Sequence, residues 1–119
     1  MTYDPDNIFA KILRGEIPCN KVFESDHTLA FSDIAPQAPT HILVIPKGSY
    51  IDIADFSANA SIEEQTDFLK SVSDIVKEHN LTDNGFRSIA NTGDHGGQEV
   101  PHFHLHLLAG KKLGPMLAQ

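Results

Sequence analysis

A chain of 119 residues, 40% hydrophobic and 21% charged, has the size and balance of a globular protein that buries its own core, which predicts a single domain over residues 1–119. Its formal charge of −7 opposes the phosphate backbone of DNA or RNA, so no nucleic acid polymer is expected as a partner. A mononucleotide is still allowed, on the expectation that its pocket supplies positive groups of its own.

The opening Met1-Thr2-Tyr3-Asp4-Pro5-Asp6 is acidic and polar where a secretory signal is basic and then apolar. No apolar run approaches the ~18 residues of a membrane span, so no membrane partner is expected. Between Asp6 and Arg14, Ile8, Phe9, Ile12 and Leu13 recur at helical spacing and Gly15 stands where a helix would stop, which predicts a short first helix. The single cysteine, Cys19, can form neither an internal disulfide nor a Cys-rich zinc site, and fits a cytoplasmic location. Lys21–Ser25 and Thr28–Ile34, divided by Asp26-His27, read as a hairpin of two strands. Pro36 and Pro39 bound a loop before Thr40–Pro46, a β-branched run short enough to be a buried strand. A longer helix is predicted from Ser61, whose hydroxyl can cap while Glu64 reaches back, with Phe68, Leu69, Val72, Ile75 and Val76 as its apolar stripe. Asn80–Gly85 is turn-like, Phe86–Asn91 resumes extended character, and His102–Leu108 is the last strand. About five strands and two helices without a repeat predict an α+β fold with a mainly antiparallel sheet.

In His102-Phe103-His104-Leu105-His106-Leu107-Leu108 polar and apolar residues alternate. As a strand, this places three imidazoles on one sheet face and sends Phe103, Leu105 and Leu107 into the core. Alternate residues lie ~6.6 Å apart along a strand, so neighbouring ring tips can converge on one group of phosphate size. Three clustered imidazoles repel one another if all are charged, so some should be neutral at pH 7. A neutral ring nitrogen is a competent nucleophile and its neighbours can donate to a phosphoryl oxygen or a departing group, which suits phosphoryl chemistry. The H-x-H spacing also suits a metal. The strand, however, runs into Gly110-Lys111-Lys112, cations that favour an anion, and no Asp or Glu follows; neither metal nor cofactor is expected. Upstream, Gly93–Gln98 holds three glycines whose backbone N–H groups can approach phosphate oxygens.

The segment His95–Leu108 closely resembles the signature of the histidine-triad (HIT) family, His-apolar-His-apolar-His followed by two apolar residues. Three further stretches are similar to its nucleoside phosphoramidase branch: Ile8-Phe9-Ala10-Lys11-Ile12 with Gly15-Glu16-Ile17-Pro18, then Phe31-Ser32-Asp33-Ile34-Ala35-Pro36-Gln37-Ala38-Pro39-Thr40-His41, then Gly114-Pro115-Met116-Leu117. The resemblance implies a HIT-like fold in which His104 is the nucleophile that becomes transiently phosphorylated, with His106, His102 and His41 around it. It implies that Asp33 accepts the ribose hydroxyls, that Ile8, Phe9, Ile12, Phe31 and Ile34 wall the base, and that Asn91 and Gln98 contact sugar and phosphate. It also implies that the backbone of Gly97 and Glu99 faces the phosphate. Glu99 stands where many members place a serine that assists the leaving group, and Pro101 replaces a common aromatic. Asn7 and Ala10 occupy positions where some bacterial members carry zinc-binding cysteines, which implies no zinc here.

The implied activity is metal-independent hydrolysis of purine nucleoside 5'-phosphoramidates, or related nucleoside monophosphate derivatives, through a phosphohistidine, in a homodimer. The alternatives are a nucleotide-binding regulatory module with incidental turnover, and a metal-binding β-protein that keeps the triad as ligands.

Overall fold

The computed structural model describes residues 2–118; Met1 and Gln119, the ends of the expected 1–119 unit, lie outside the described residues. In chain order the elements are α1 (Ile8–Leu13), β1 (Lys21–Glu24), β2 (Thr28–Ser32), β3 (Thr40–Pro46), α2 (Ile53–Asn59), α3 (Ile62–Glu78), β4 (Arg87–Ile89), α4 (Gly93–Gly96) and β5 (Leu105–Ala109). The five strands form one antiparallel sheet in the order β1-β2-β3-β5-β4.

Each longer helix starts on a side-chain cap. Asn7 accepts the Ala10 N–H at 2.9 Å to open α1, and Asp52 accepts that of Asp55 at 2.8 Å to open α2. At α3 the expected capping box is complete: Ser61 Oγ accepts the Glu64 N–H and Glu64 Oε1 accepts the Ser61 N–H. After α1, Gly15 takes a φ of +79°, a left-handed turn that costs a glycine little.

The central strands are buried on both faces, which is why Ile42-Leu43-Val44-Ile45 is apolar without alternation. Ala30, Ile42, Val44 and Leu107 point to the side covered by α2 and α3, where they pack with Phe56, Phe68, Ile75 and Phe103. Leu29, Phe31, Leu43 and Ile45 point to the opposite side and pack with Phe9 of α1. Because Leu43 faces His106 across the β3–β5 ladder, and His41 lies two residues before Leu43, both imidazoles project to the α1 side. The sheet thus buries one face under helices and gives the other to α1 and a cavity.

Three differences from the sequence expectations have physical causes. The α+β class and the five strands stand, but there are four helices rather than two. The two unexpected ones, α2 and α4, are too short and too polar to show a periodic stripe. The second strand stops at Ser32 instead of Ile34, because the Asp33 carboxylate accepts the Ala35 N–H at 2.8 Å and starts a turn. The last strand begins at Leu105, not His102. Its partner β3 ends at Pro46, which has no N–H for the ladder, and the upstream chain pairs elsewhere, with the Phe103 N–H donating to the Tyr50 carbonyl at 2.7 Å. The three imidazoles therefore do not line one strand face as a uniform row.

Candidate active site

A cavity of about 630 Å³ opens on the α1 side of the sheet, a size that suits a small-molecule ligand. Its lining brings together Ile8, Phe9 and Ile12 from α1, Phe31 from β2, Asp33 and Ile34 from the turn after β2, and His41 from β3. Asn91, Gly97 and Glu99 come from the loops around α4, and His104 and His106 from the chain entering β5. All twelve are residues singled out in the sequence. Phe9 stands edge-on to both Phe31 and His104, with ring centroids 5.6 and 4.9 Å apart, so one aromatic ring joins the apolar wall to the imidazoles. Ile34 is 89% exposed and Ile8 42%, apolar side chains left in water at the cavity mouth.

The hydrogen bonds fix the imidazole tautomers, because a backbone amide only donates and a carbonyl only accepts. The His104 ring faces the His102 carbonyl through Nδ1 at 2.8 Å, so Nδ1 carries the proton and Nε2 keeps its lone pair. The Gln37 N–H donates to His41 Nδ1 at 3.0 Å, so the His41 proton is on Nε2. That proton points to His106 Nδ1 at 2.9 Å, with Asp33 Oδ2 3.4 Å from the same nitrogen. His106 accepts on Nδ1 and so carries its own proton on Nε2. Two cavity-lining rings, 4.9 Å apart between centroids, thus differ in role: His104 has a free lone pair and His106 an N–H.

Their charge states agree with this. Burial pushes the His104 pKa down, and burial together with His104 and His41 lowers that of His106 to about 4. Burial likewise lowers His102 to about 4. The expected neutrality at pH 7 is therefore met by all three.

Two expected site residues stand apart from the cavity. His102 is fully buried behind it: its Nε2–H donates to the Pro46 carbonyl at 2.9 Å, and its Nδ1 accepts the Tyr3 hydroxyl at 2.7 Å. It orients His104 through its own carbonyl and has no ring nitrogen left over. Gln98 spends its amide on the loop: Nε2 donates to the Ile51 and Val100 carbonyls, and Oε1 accepts the Gly93 N–H. It shapes the turn that presents Gly97, at φ +74°, to the cavity.

Tyr3 and Gln37, which the histidine motif does not point to, hydrogen-bond His102 and His41. Both act from outside the triad on the second nitrogen of a histidine, a relation with no fixed sequence spacing. The expected positive groups are also missing: among the described residues no Lys or Arg lines the cavity, and Lys111 and Lys112 are exposed elsewhere.

The chain resembles known proteins in sequence and in fold. The HIT domain pattern matches residues 14–113. The chain is similar to an uncharacterized HIT-like protein of Azospirillum brasilense, 53% identical over 118 residues that cover 99% of this chain and 97% of the relative. It is similar to the purine nucleoside phosphoramidase of Escherichia coli K12, 46% identical over 115 residues, 95% of this chain and 94% of that one. Among solved structures, a HIT family hydrolase from Legionella pneumophila superposes with a TM-score of 0.81 at 42% identity, covering 90% of this chain and 95% of that one.

Proposed function

The chain belongs to the HIT domain family of hydrolases, and from that premise we propose that it cleaves the P–N bond of purine nucleoside 5'-phosphoramidates, with His104 as nucleophile. The observation that carries this reading is the pairing of tautomers: a neutral His104 with its Nε2 lone pair free, beside His106 with an N–H to offer. His104 Nε2 attacks phosphorus while His106 Nε2–H donates to a phosphoryl oxygen and stabilises the charge that develops there. The P–N bond breaks, and nitrogen leaves with the bonding pair and a proton drawn from solvent. Water then attacks phosphorus and the Nε2–P bond breaks back to the lone pair. The proton released balances the one taken up, and the nucleoside monophosphate departs. Asp33 accepts the ribose hydroxyls in this reading, Ile8, Phe9, Ile12, Phe31 and Ile34 enclose the base, and Asn91 and the Gly97 and Glu99 backbone border the sugar and phosphate.

A metal has one place to bind among the described residues, where ligand atoms of Asp33, His41 and His106 lie within 4.8 Å of one another. The donor set is poorly disposed for it. The Gln37 N–H occupies His41 Nδ1, which keeps the proton on the Nε2 that a metal would need. Steady-state hydrolysis of adenosine 5'-phosphoramidate in EDTA tests the proposal. Undiminished turnover is expected, and loss of turnover restored by zinc overturns the metal-independent mechanism.

The proposal extends to a homodimer, supported by the edge position of β4 and by the exposed Met116 and Leu117 near the end of the chain, and sedimentation equilibrium at twice the chain mass checks it. It also places the protein in the cytoplasm, where the free thiol of Cys19 stays reduced. No helix of the described residues is long and apolar enough to cross a membrane.

A further inference from the structure

The cavity is electrostatically unusual for one that takes a phosphate derivative. Among the described residues its only side chains with a fixed charge are the carboxylates of Asp33 and Glu99. Burial holds the His104 and His106 imidazoles neutral, and the chain carries a formal charge of −7. A ligand with two negative charges at phosphorus meets no cation there. Asp33 has a partner inside the site, His41 Nε2 at 3.4 Å, and its second oxygen accepts the Ala35 N–H. Glu99 has no ion pair among the described residues, is exposed, and lines the same cavity as His104 and His106.

We infer that Glu99 is a specificity-determining residue that selects phosphoramidates whose departing amine carries a second, positively charged group. The inference rests on the hydrolase reading above and names its substrate class. A phosphoramidate of a nucleoside bears one negative charge at phosphorus, where a monophosphate bears close to two at pH 7. An ammonium group on the departing chain offsets that charge and meets a carboxylate whose field no neighbouring cation cancels. Being at the solvent edge, Glu99 also favours long, flexible amines whose charged end stays partly hydrated. The preference falls as salt is added, because an exposed carboxylate is screened.

The test compares two adenosine 5'-phosphoramidates that differ at one terminus, the n-hexylamine derivative and the 6-aminohexylamine derivative. The wild type should show a kcat/KM ratio of about fivefold in favour of the cationic compound, the size expected of one exposed ion pair. Glu99→Gln should bring the ratio close to one and Glu99→Lys should invert it. Asp26→Asn, which removes one negative charge in the β1–β2 turn outside the cavity, should leave it as in the wild type. A wild-type ratio near one, or a ratio unaffected by Glu99→Lys, overturns the inference while the hydrolase reading stands. Turnover of neither compound defeats both.

Discussion

The division of labour among the four histidines comes from what sits on the far nitrogen of each ring. A carbonyl behind His104 frees its Nε2, an amide behind His41 sends a proton to His106, and Tyr3 with Pro46 uses up His102. The sequence pattern showed that three of these rings, His102, His104 and His106, cluster and that some of them should be neutral. It could not show which ring keeps a lone pair, because the deciding partners are a backbone carbonyl, a backbone amide and a tyrosine 99 residues away. Asp33 was legible as a site residue for a simpler reason: it follows an apolar strand and precedes a turn, so its carboxylate stays at the cavity rim. If it accepts both ribose hydroxyls, Asp33→Ala should weaken binding of a ribonucleotide by roughly 1.5 to 3 kcal/mol, the range for bonds to a charged group. A 2',3'-dideoxy ligand should lose a similar amount on the wild type and almost nothing more on the variant, since one contact cannot be removed twice. Isothermal titration of the four combinations checks this, and additive losses would contradict the role.

Among the elements, those with strong local chemistry were readable. The Ser61–Glu64 capping box announced α3, and the β-branched run announced β3 at Thr40–Pro46. What was not readable depended on neighbours. The start of β5 is set by the missing N–H of Pro46 in another strand, and α2 has only the Asp52 cap to mark it. One junction between elements was invisible in the sequence. Asp67 of α3 accepts the Ser25 and Thr28 hydroxyls at 2.6 and 2.7 Å and the His27 N–H at 3.2 Å, tying the β1–β2 turn to the helix. Burial alone would raise its pKa, yet these donors hold it below the usual carboxylate range. Asp67→Ala leaves three donors without their acceptor and should lower stability by about 1–3 kcal/mol. Urea titration of the variant should show an earlier midpoint with an unchanged slope. An unchanged midpoint would mean the junction carries no net stability.

For the molecule as a whole, burying neutral imidazoles beside the sheet links stability to pH. His102 and His106 titrate near 4 in the fold and near 6.5 when unfolded, so between those values the unfolded chain binds more protons. Stability from these groups is complete above pH 6.5 and is lost as pH falls toward 4. For the fully buried His102 alone, the difference corresponds to about 3 kcal/mol. Tm should therefore drop steadily from pH 7 to pH 4.5, in a single transition if residues 1–119 fold as one unit, as we propose. A flat Tm across that window in calorimetry would contradict the buried neutral histidines. That His104 Nε2 is the nucleophile is tested by quenching the enzyme in alkaline denaturant during turnover of adenosine 5'-phosphoramidate, because a P–N adduct is lost in acid, and mapping the adduct by mass spectrometry at alkaline pH. An adenylyl group is expected on the peptide that carries His104, absent from His104→Ala together with turnover. An adduct on another residue, or near wild-type hydrolysis by His104→Ala, would contradict it.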